Sequence, residues 1–299
     1  MRVACVGECM VELTLPREDG AEGRVGFAGD TLNVAVYLKR AAPELEVSYV
    51  TALGTDPLSA RMLGFFAREG LDTGLVERRP DRVPGLYAIS LDERGERSFT
   101  YWRDSSAART LFLPPAEVMP ERLAGFDLVY LSGITLAIMA PEARRALAAF
   151  LAGYRAGGGR VAFDSNYRPR LWPDATTARR EIDAFWAVTD VGLPSLDDEM
   201  ALHGDRDAAA VAARLAAAGV RRGALKRGAA GPLPLGQLDA LPDFPPAARV
   251  VDTTAAGDSF NGGYLAAMLQ GRAEADCLAA GHATAAEVVG HPGAIIPRG

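Results

Sequence analysis

The stretch "VVDTTAAGDSFNGGYLAA", residues 250–267, decides how we interpret this chain of 299 residues. A short apolar, strand-like run is followed by a turn of small residues, and the acidic Asp258 comes next, where a helix is predicted to begin. Ala255, Ala256 and Gly257 have almost no side chain, so the first backbone N–H groups of this helix can approach a ligand closely. Together with the positive end of the helix dipole, these groups form an anion hole suited to phosphate oxygens.

Asp258 lies at the same helix end, where the dipole favours the ionised carboxylate. The stretch alone leaves two explanations open. A carboxylate beside a phosphate can orient an alcohol and accept its proton during phosphoryl transfer. Alternatively, the aspartate can simply cap the helix, which is common. The remaining sequence must decide between them.

Composition and charge narrow the class of protein. The net charge is −6 with both signs interspersed, so there is no basic face or stripe for nucleic acid. The three cysteines form no disulfide framework and show no metal-ligand spacing. The N-terminal "MRVACVGECMVEL" is too polar for a signal peptide or a membrane span. We therefore expect a soluble, cytoplasmic protein without nucleic-acid or membrane partners.

Apolar strand-like runs alternate with helical patterns, which is typical of a mainly parallel sheet covered by helices. Helices are predicted after Asp56, from Pro141, and in an alanine-rich stretch that Gly219 closes. The chain contains neither a P-loop pattern nor a dinucleotide-binding glycine pattern after its first strand, which disfavours an oxidoreductase. The predicted strands of the main sheet are "VACVG", "VSYVTALG", "DLVYLSG", "RVAFD", "VGLP" and "GALK".

Residues 85–103 interrupt this alternation. They are predicted to form two strands around a turn at residues 92–95, with the period-two pattern of a hairpin. Together with "MVELTLP" and "GRVGFAG", they predict a small antiparallel sheet from about residues 10–28 and 83–105. Such a sheet can cover the mouth of a site on the larger unit; a hairpin that merely decorates the sheet edge is the alternative.

Several of these stretches together resemble the PfkB, or ribokinase-like, carbohydrate kinases. The resemblance rests on "DTTAAGDSFNGGYLA", "GECMVEL", "FAGDTLNVAVYLKR", "FDSNYRPRLW", "LKRGAAG" and "GAIIPR", which occur in order over nearly the whole chain. It implies one three-layer α/β/α ribokinase-like domain over residues 1–299, with a mainly parallel central sheet and a small β-sheet lid. It also implies ATP and Mg²⁺ as cofactors. The motifs look most like those of members that phosphorylate the terminal (6-) hydroxyl of 2-keto-3-deoxy-D-gluconate.

By this resemblance, Asp258 is the catalytic base, and the three small residues before it surround the transferred phosphoryl group. An arginine can grip a carboxylate with two hydrogen bonds, so Arg103 would select a sugar acid over a neutral sugar. Helix capping by Asp30, a turn-forming role for Asp252 and simple cross-strand packing in the hairpin are the alternatives. The implied substrate-binding residues are Gly29, Asp30, Asn33, Tyr87, Tyr101, Arg103, Arg168 and Asp252.

The nucleotide side follows from the same resemblance. Asp198 stands near the metal and phosphates and can hold Mg²⁺-bound waters, but no residue is predicted to ligate the metal directly. We expect a homo-oligomer, since the open lid sheet has edges available for pairing. A kinase of a neutral ketose such as fructose, or a sugar-acid sensor without catalysis, are the alternative functions. The implied cofactor-binding residues are Asn166, Arg168, Ser195, Lys226, Gly228, Gly231 and Gly257.

Overall fold

The computed structural model describes residues 1–16, 22–91 and 97–298. The strands in this part of the chain are β1 (Arg2–Val6), β2 (Met10–Thr14), β3 (Arg24–Ala28), β4 (Glu46–Leu53), β5 (Val76–Arg78), β6 (Gly85–Leu91), β7 (Arg97–Trp102), β8 (Leu128–Ser132), β9 (Arg160–Asp164), β10 (Val191–Gly192), β11 (Ala224–Leu225) and β12 (Leu233–Pro234). The α-helices are α1 (Asp30–Ala41), α2 (Pro57–Arg68), α3 (Gly133–Ile138), α4 (Pro141–Ala156), α5 (Ala175–Trp186), α6 (Leu196–His203), α7 (Ala208–Ala217), α8 (Ala256–Leu269) and α9 (Glu274–Val288).

A six-stranded sheet with the order β10-β9-β8-β1-β4-β5 forms the centre, and all its neighbouring strands are parallel. Parallel bridges from Gly192 to Gly223 and from Ser195 to Lys226 bring β11 alongside β10. The six predicted strands are therefore confirmed. Strand β5 was not predicted, because a strand of three residues is too short to show a pattern.

The central sheet is covered on both faces. Successive side chains of a strand point to opposite faces, so in β1 Val3 packs with α1, α2, α8 and α9, whereas Ala4 packs with α4, α5 and α7. This arrangement confirms the expected three-layer α/β/α fold. The helix starts are also confirmed: Asp56 caps α2 by accepting from two backbone N–H groups, and Pro141 is the first residue of α4.

The small sheet has the order β3-β2-β6-β7 and lies apart from the central one. The pairs β2–β3 and β6–β7 are antiparallel, as predicted, but β2 and β6 run parallel, so the sheet is mixed and the prediction of a fully antiparallel sheet was wrong. The reason is topological: β2 follows β1 directly and β6 follows β5, and both leave the same carboxyl edge of the parallel main sheet. The predicted turn at residues 92–95 lies outside the described residues.

Two further observations bear on the class of protein. All three cysteines are buried and none forms a disulfide. Among the described residues, no helix has the length and apolar character that a membrane crossing requires.

The approach of α1 to the start of the small sheet depends on Gly29. A Cβ atom on Gly29 would lie 2.1 Å from the backbone oxygen of Glu8, far inside van der Waals contact. Because the obstacle is backbone, no side-chain rotation can relieve it. The two chain segments can therefore meet only if residue 29 has no side chain.

We predict that Gly29→Ala lowers the free energy of unfolding by about 1–3 kcal/mol, as expected when extra atoms are forced into a packed site. Urea denaturation followed by circular dichroism measures this change. Gly153→Ala is the matched control, since Gly153 lies inside α4 with open space around its Cα and should be neutral or up to about 1 kcal/mol stabilising. Equal effects of the two substitutions would contradict the close-approach argument.

Candidate active site

The turn before α8 has an unusual backbone. Ala255 is the N-cap residue of the helix and adopts φ 60° and ψ 15°, a left-handed conformation that costs a non-glycine residue roughly 1–2 kcal/mol. The Ala256 N–H donates to the carbonyl oxygen of Thr253 at 3.2 Å. The N–H groups of Gly257 and Asp258 lie in the first turn, where no intrahelical acceptor exists, so they can serve a bound anion.

Asp258 is in the first turn of α8 but does not cap it, since the helix has no side-chain capping hydrogen bond. Its carboxylate instead accepts a hydrogen bond of 2.8 Å from the Asn33 side-chain amide, 225 residues away in the chain. The Asn33 Oδ1 in turn accepts from the Gly29 N–H at 3.5 Å, which fixes the orientation of the amide. The structure thus removes the capping explanation and shows a carboxylate held by α1.

The charge state of Asp258 is set by its surroundings. Its pKa is raised from 3.8 to about 7, chiefly by burial and next by the nearby Asp30 carboxylate. The hydrogen bond from Asn33 and the positive charge of Lys226 act in the opposite direction. A carboxylate that titrates near neutral pH is ionised in a large fraction of molecules and still accepts a proton readily.

Asp30 begins α1, yet Gly29 is the N-cap residue and no side chain caps the helix. The Asp30 carboxylate accepts hydrogen bonds from the Ser132 hydroxyl and, at 3.0 Å, from the Asn166 amide. Burial raises the pKa of Asp30, and the charge of Arg103 lowers it. Asn166, which we assigned to the nucleotide, thus lies beside a residue that we assigned to the sugar, and Ser132 was missed.

A buried polar cluster lies behind Asp258. The Lys226 ammonium donates to the Asp164 carboxylate and, at 3.0 Å, to the Asn261 side-chain oxygen. The Asn261 amide donates back to Asp164 at 2.7 Å, so the three groups form a closed ring of hydrogen bonds between β9, β11 and α8. Asn261 was not predicted, although its position one turn after Asp258 places it on the same side of α8.

The small sheet contributes the predicted aromatic pair. Tyr87 and Tyr101 are directly opposed on β6 and β7, with ring centroids 5.7 Å apart. Tyr87 is buried and donates its hydroxyl to the Glu12 carboxylate, whereas Tyr101 is 49% exposed. Arg103 lies just beyond the end of β7 and is only 8% exposed, in an ion pair with Glu8. We missed both glutamates because "GECMVEL" does not show that Glu8 is buried or that Glu12 accepts from Tyr87.

Two predicted residues have other partners in the structure. The Asp252 carboxylate accepts from the backbone N–H groups of Thr254 at 2.9 Å and Gly293 at 2.6 Å, which ties the loop before α8 to the C-terminal segment. Arg168 extends towards solvent and binds the Asp198 carboxylate at 3.2 Å. Burial raises the pKa of Asp198, and the charge of Arg168 opposes that rise.

A cleft of about 480 Å³ adjoins the first turn of α8. Four of the predicted cofactor-binding residues line it, namely Ser195, Lys226, Gly228 and Gly257. Gly231 lies behind this surface, against the Phe244 ring. Small and apolar side chains make up most of the remaining wall, as expected for a site that takes a flat heterocycle; they include Leu196, Ala229, Pro232, Pro246, Ala247, Val250, Phe260, Ala285, Ala286 and Val289.

No group of three or more His, Cys, Asp or Glu side chains within the described ranges could hold a metal ion. Mg²⁺ that accompanies a nucleotide is usually held by phosphate oxygens, waters and one or two carboxylates, so such a cluster is not needed. The arrangement as a whole has a helix end whose first backbone N–H groups lack intrahelical acceptors, a carboxylate with a raised pKa, and an apolar cleft at the carboxyl edge of a parallel sheet. This combination is typical of an enzyme that transfers a phosphoryl group.

Comparison with known proteins gives the class a name. The model of the PfkB family, described as pfkB family carbohydrate kinase, matches residues 1–298. The chain therefore belongs to the PfkB family of carbohydrate kinases. It is 46% identical to the 2-dehydro-3-deoxygluconokinase of Dickeya dadantii (strain 3937), over 99% of this chain and 96% of that protein.

Solved structures agree with this assignment. The chain is similar to the PfkB protein from Polaromonas sp. JS666, with a TM-score of 0.83 and 26% identity over 97% of this chain and 95% of that one. It also shares its fold with an E. coli protein crystallised with ATP and Mg²⁺, with a TM-score of 0.81 and 20% identity over 98% and 94% of the two chains.

The hydrogen bond from Asn33 favours the ionised form of Asp258, so its removal should raise the pKa of this carboxyl further. We predict that Asn33→Leu moves the acidic limb of the pH profile of kcat/KM from near pH 7 upward by about one unit, the effect of losing roughly 1.5 kcal/mol. As the pH is lowered, the activity of Asn33→Leu therefore begins to fall at a higher pH than that of the wild type.

The measurement is the rate at limiting acceptor between pH 5.5 and 9. Gln270→Leu, which removes an exposed amide at the far end of α8, is the control and should leave the limb in place. A limb that stays near pH 7 in Asn33→Leu would show that this hydrogen bond does not govern the ionisation of Asp258.

Proposed function

We propose that this protein is an ATP-dependent kinase that phosphorylates the terminal hydroxyl of 2-keto-3-deoxy-D-gluconate. The observation that carries the proposal is the Asp258 carboxylate, oriented by Asn33 and with a pKa of about 7, at the N-terminus of α8. The relative from Dickeya dadantii, similar over nearly its full length, supports the identity of the acceptor.

The proposed reaction transfers one phosphoryl group. Asp258 accepts the proton of the acceptor hydroxyl as its oxygen attacks the γ-phosphorus of ATP. A new P–O bond forms, the bond between the γ-phosphorus and the bridging oxygen breaks, and ADP leaves with that electron pair. The N–H groups at Gly257 and Asp258 stabilise the charge on the equatorial oxygens, as oxyanion donors do in acyl transfer.

The acceptor is proposed to be an acid because of Arg103. This guanidinium lies close enough to lower the pKa of Asp30, and Asp30 in turn raises that of Asp258. A positive group among these carboxylates suits a substrate that carries a carboxylate of its own. The Tyr87 and Tyr101 rings form a wall beside it on which a polyhydroxylated chain can lie.

The donor site is proposed to be the cleft beside α8, whose apolar wall suits the adenine ring and whose open end meets the anion hole. Mg²⁺, when bound with ATP, would neutralise phosphate charge, and we propose that the Asp198 carboxylate holds its waters. We also propose that residues 10–28 and 83–105 act as a lid of the single domain and that the chain forms a homo-oligomer. Trp102, 60% exposed on the small sheet, favours the latter.

We predict that Asp258→Asn lowers kcat by about 10²–10⁴-fold, the contribution usual for a general base, while calorimetry finds ATP and acceptor affinities within a few-fold of the wild type. A coupled assay that detects ADP measures turnover. Near-normal turnover would show that another group takes the proton.

The same variant has a control for folding. Because the pKa of Asp258 is raised in the folded protein, ionisation opposes folding, and stability is lost as pH rises from about 4 through about 7. Asp258→Asn should therefore melt on the order of 2–4 °C above the wild type at pH 8 and much closer to it at pH 5. A lower melting temperature at pH 8 would indicate a misfolded variant.

We predict that Arg103→Ala raises the KM for the sugar acid by about tenfold or more and leaves the KM for ATP nearly unchanged. Arg170→Ala, which removes an exposed arginine, is the control. Wild-type protein is assayed in parallel on 2-keto-3-deoxygluconate, its galactose-derived epimer, fructose and ribose. Equal rises in both KM values, or a preference for fructose, would contradict an acid acceptor.

A further inference from the structure

Glu8 is a buried carboxylate that the proposed chemistry does not use. It lies in the short connection between β1 and β2 and is 2% exposed. Its two oxygens accept hydrogen bonds from different groups, one from the Arg103 guanidinium and the other from the Ser106 hydroxyl. Both donors follow β7, so Glu8 connects the entrance of the small sheet with its exit.

The backbone packs closely around Glu8 at two glycines, where no side chain would fit. A Cβ on Gly85, the first residue of β6, would lie 2.8 Å from Glu8 Oε1 and 3.2 Å from the Arg103 Cβ. A Cβ on Gly29 would meet the Glu8 backbone oxygen. Ends of all four strands of the small sheet therefore meet around Glu8, and its side chain has little room to move.

Arg103 has hydrogen-bonding capacity that the protein leaves unused. Its Nε is buried and has no hydrogen-bond partner, although a guanidinium has five donor hydrogens. An unsatisfied buried donor is uncommon and usually has an explanation. The charge of Arg103 lowers the pKa of Asp30, so the guanidinium lies near a residue that is predicted to bind the acceptor sugar.

We propose that Glu8 is a positioning residue for acid recognition, which holds one edge of the Arg103 guanidinium so that its remaining donors meet the carboxylate of the acceptor. This inference rests on the proposed function. It differs from a competition model, in which the acceptor displaces Glu8 from Arg103. Displacement would leave a buried carboxylate without its counter-ion, which is strongly unfavourable, whereas sharing one guanidinium between two carboxylates is not.

The test compares two substitutions of Glu8. Glu8→Ala removes the carboxylate and should raise the KM for 2-keto-3-deoxygluconate by about tenfold or more, with kcat and the KM for ATP within about threefold of the wild type. Glu8→Gln keeps an oxygen that can accept from Arg103, so it should restore most of the acceptor affinity. If instead either substitution lowers the KM for the acid, Glu8 competes with the acceptor and the proposal is wrong.

Glu69→Ala is the matched control, because Glu69 is also buried and pairs with an arginine, Arg40, at 2.9 Å. It should lower the melting temperature without a selective change in the KM for the acid. If both Glu8 variants also lower the melting temperature without a selective change in the KM for the acid, Glu8 has only a structural role and the proposal is wrong.

A double-mutant cycle completes the test and does not depend on one variant alone. If Glu8 acts through Arg103, then Glu8→Ala, which raises the acceptor KM about tenfold in the wild type, should change it less than about twofold in an Arg103→Ala background; additive effects of the two substitutions contradict the proposal. Thermal shift with 2-keto-3-deoxygluconate supplies the same comparison for binding. Wild-type protein that binds this acid without phosphorylating it would refute the proposed function but leave the Glu8 comparison readable.

Discussion

Burial of the Asp258 carboxylate at the positive end of α8 is the constraint on which the rest of the site depends. A buried charge is costly unless dipoles or partners compensate for it. Here the hydrogen bond from the Asn33 amide and the positive charge of Lys226 compensate in part, which leaves a pKa of about 7. Stronger compensation would produce a permanently ionised and weakly basic carboxylate, and weaker compensation would keep it protonated. The position of α1, and thus of Gly29, sets this balance.

Near the Asp258 carboxylate, further charged side chains are buried in oppositely charged pairs, which lowers the cost of their burial. Lys226 and Asp164 neutralise each other beside the first turn of α8, and Asn261 closes their ring of hydrogen bonds. Glu8 and Arg103 form a second pair at the base of the small sheet. Both pairs act on the carboxyl groups of the site, since the charge of Arg103 lowers the pKa of Asp30 and that of Lys226 lowers the pKa of Asp258. Rigid, preoriented groups are what phosphoryl transfer requires, since positioning and charge stabilisation provide most of the rate.

The sequence predicted the parts of this arrangement that are local. Strand and helix starts follow from apolar runs, caps and prolines, whereas phosphate binding by the small residues before Asp258 stays a prediction. Contacts across the chain were not accessible in this way: the capping and base explanations for Asp258 separate only when Asn33 is seen beside it. The parallel sense of β2 and β6 depends on which edge of the main sheet they leave, and the burial of Glu8 depends on four strand ends. The partners of Asp252 and Asn166, which are Gly293 and Asp30, likewise lie far away in the sequence and meet them only in the folded chain.

The central claim concerns the ionisation of a single carboxyl group, so it can be measured at that group. A ¹³C NMR titration of protein labelled at the aspartate side-chain carboxyls, with the signal assigned by its loss in Asp258→Asn, reports this directly. The account predicts a midpoint at about pH 7 for Asp258. A midpoint near its ordinary value of 3.8 would contradict it, because the carboxylate would then be neither effectively buried nor poised to accept a proton.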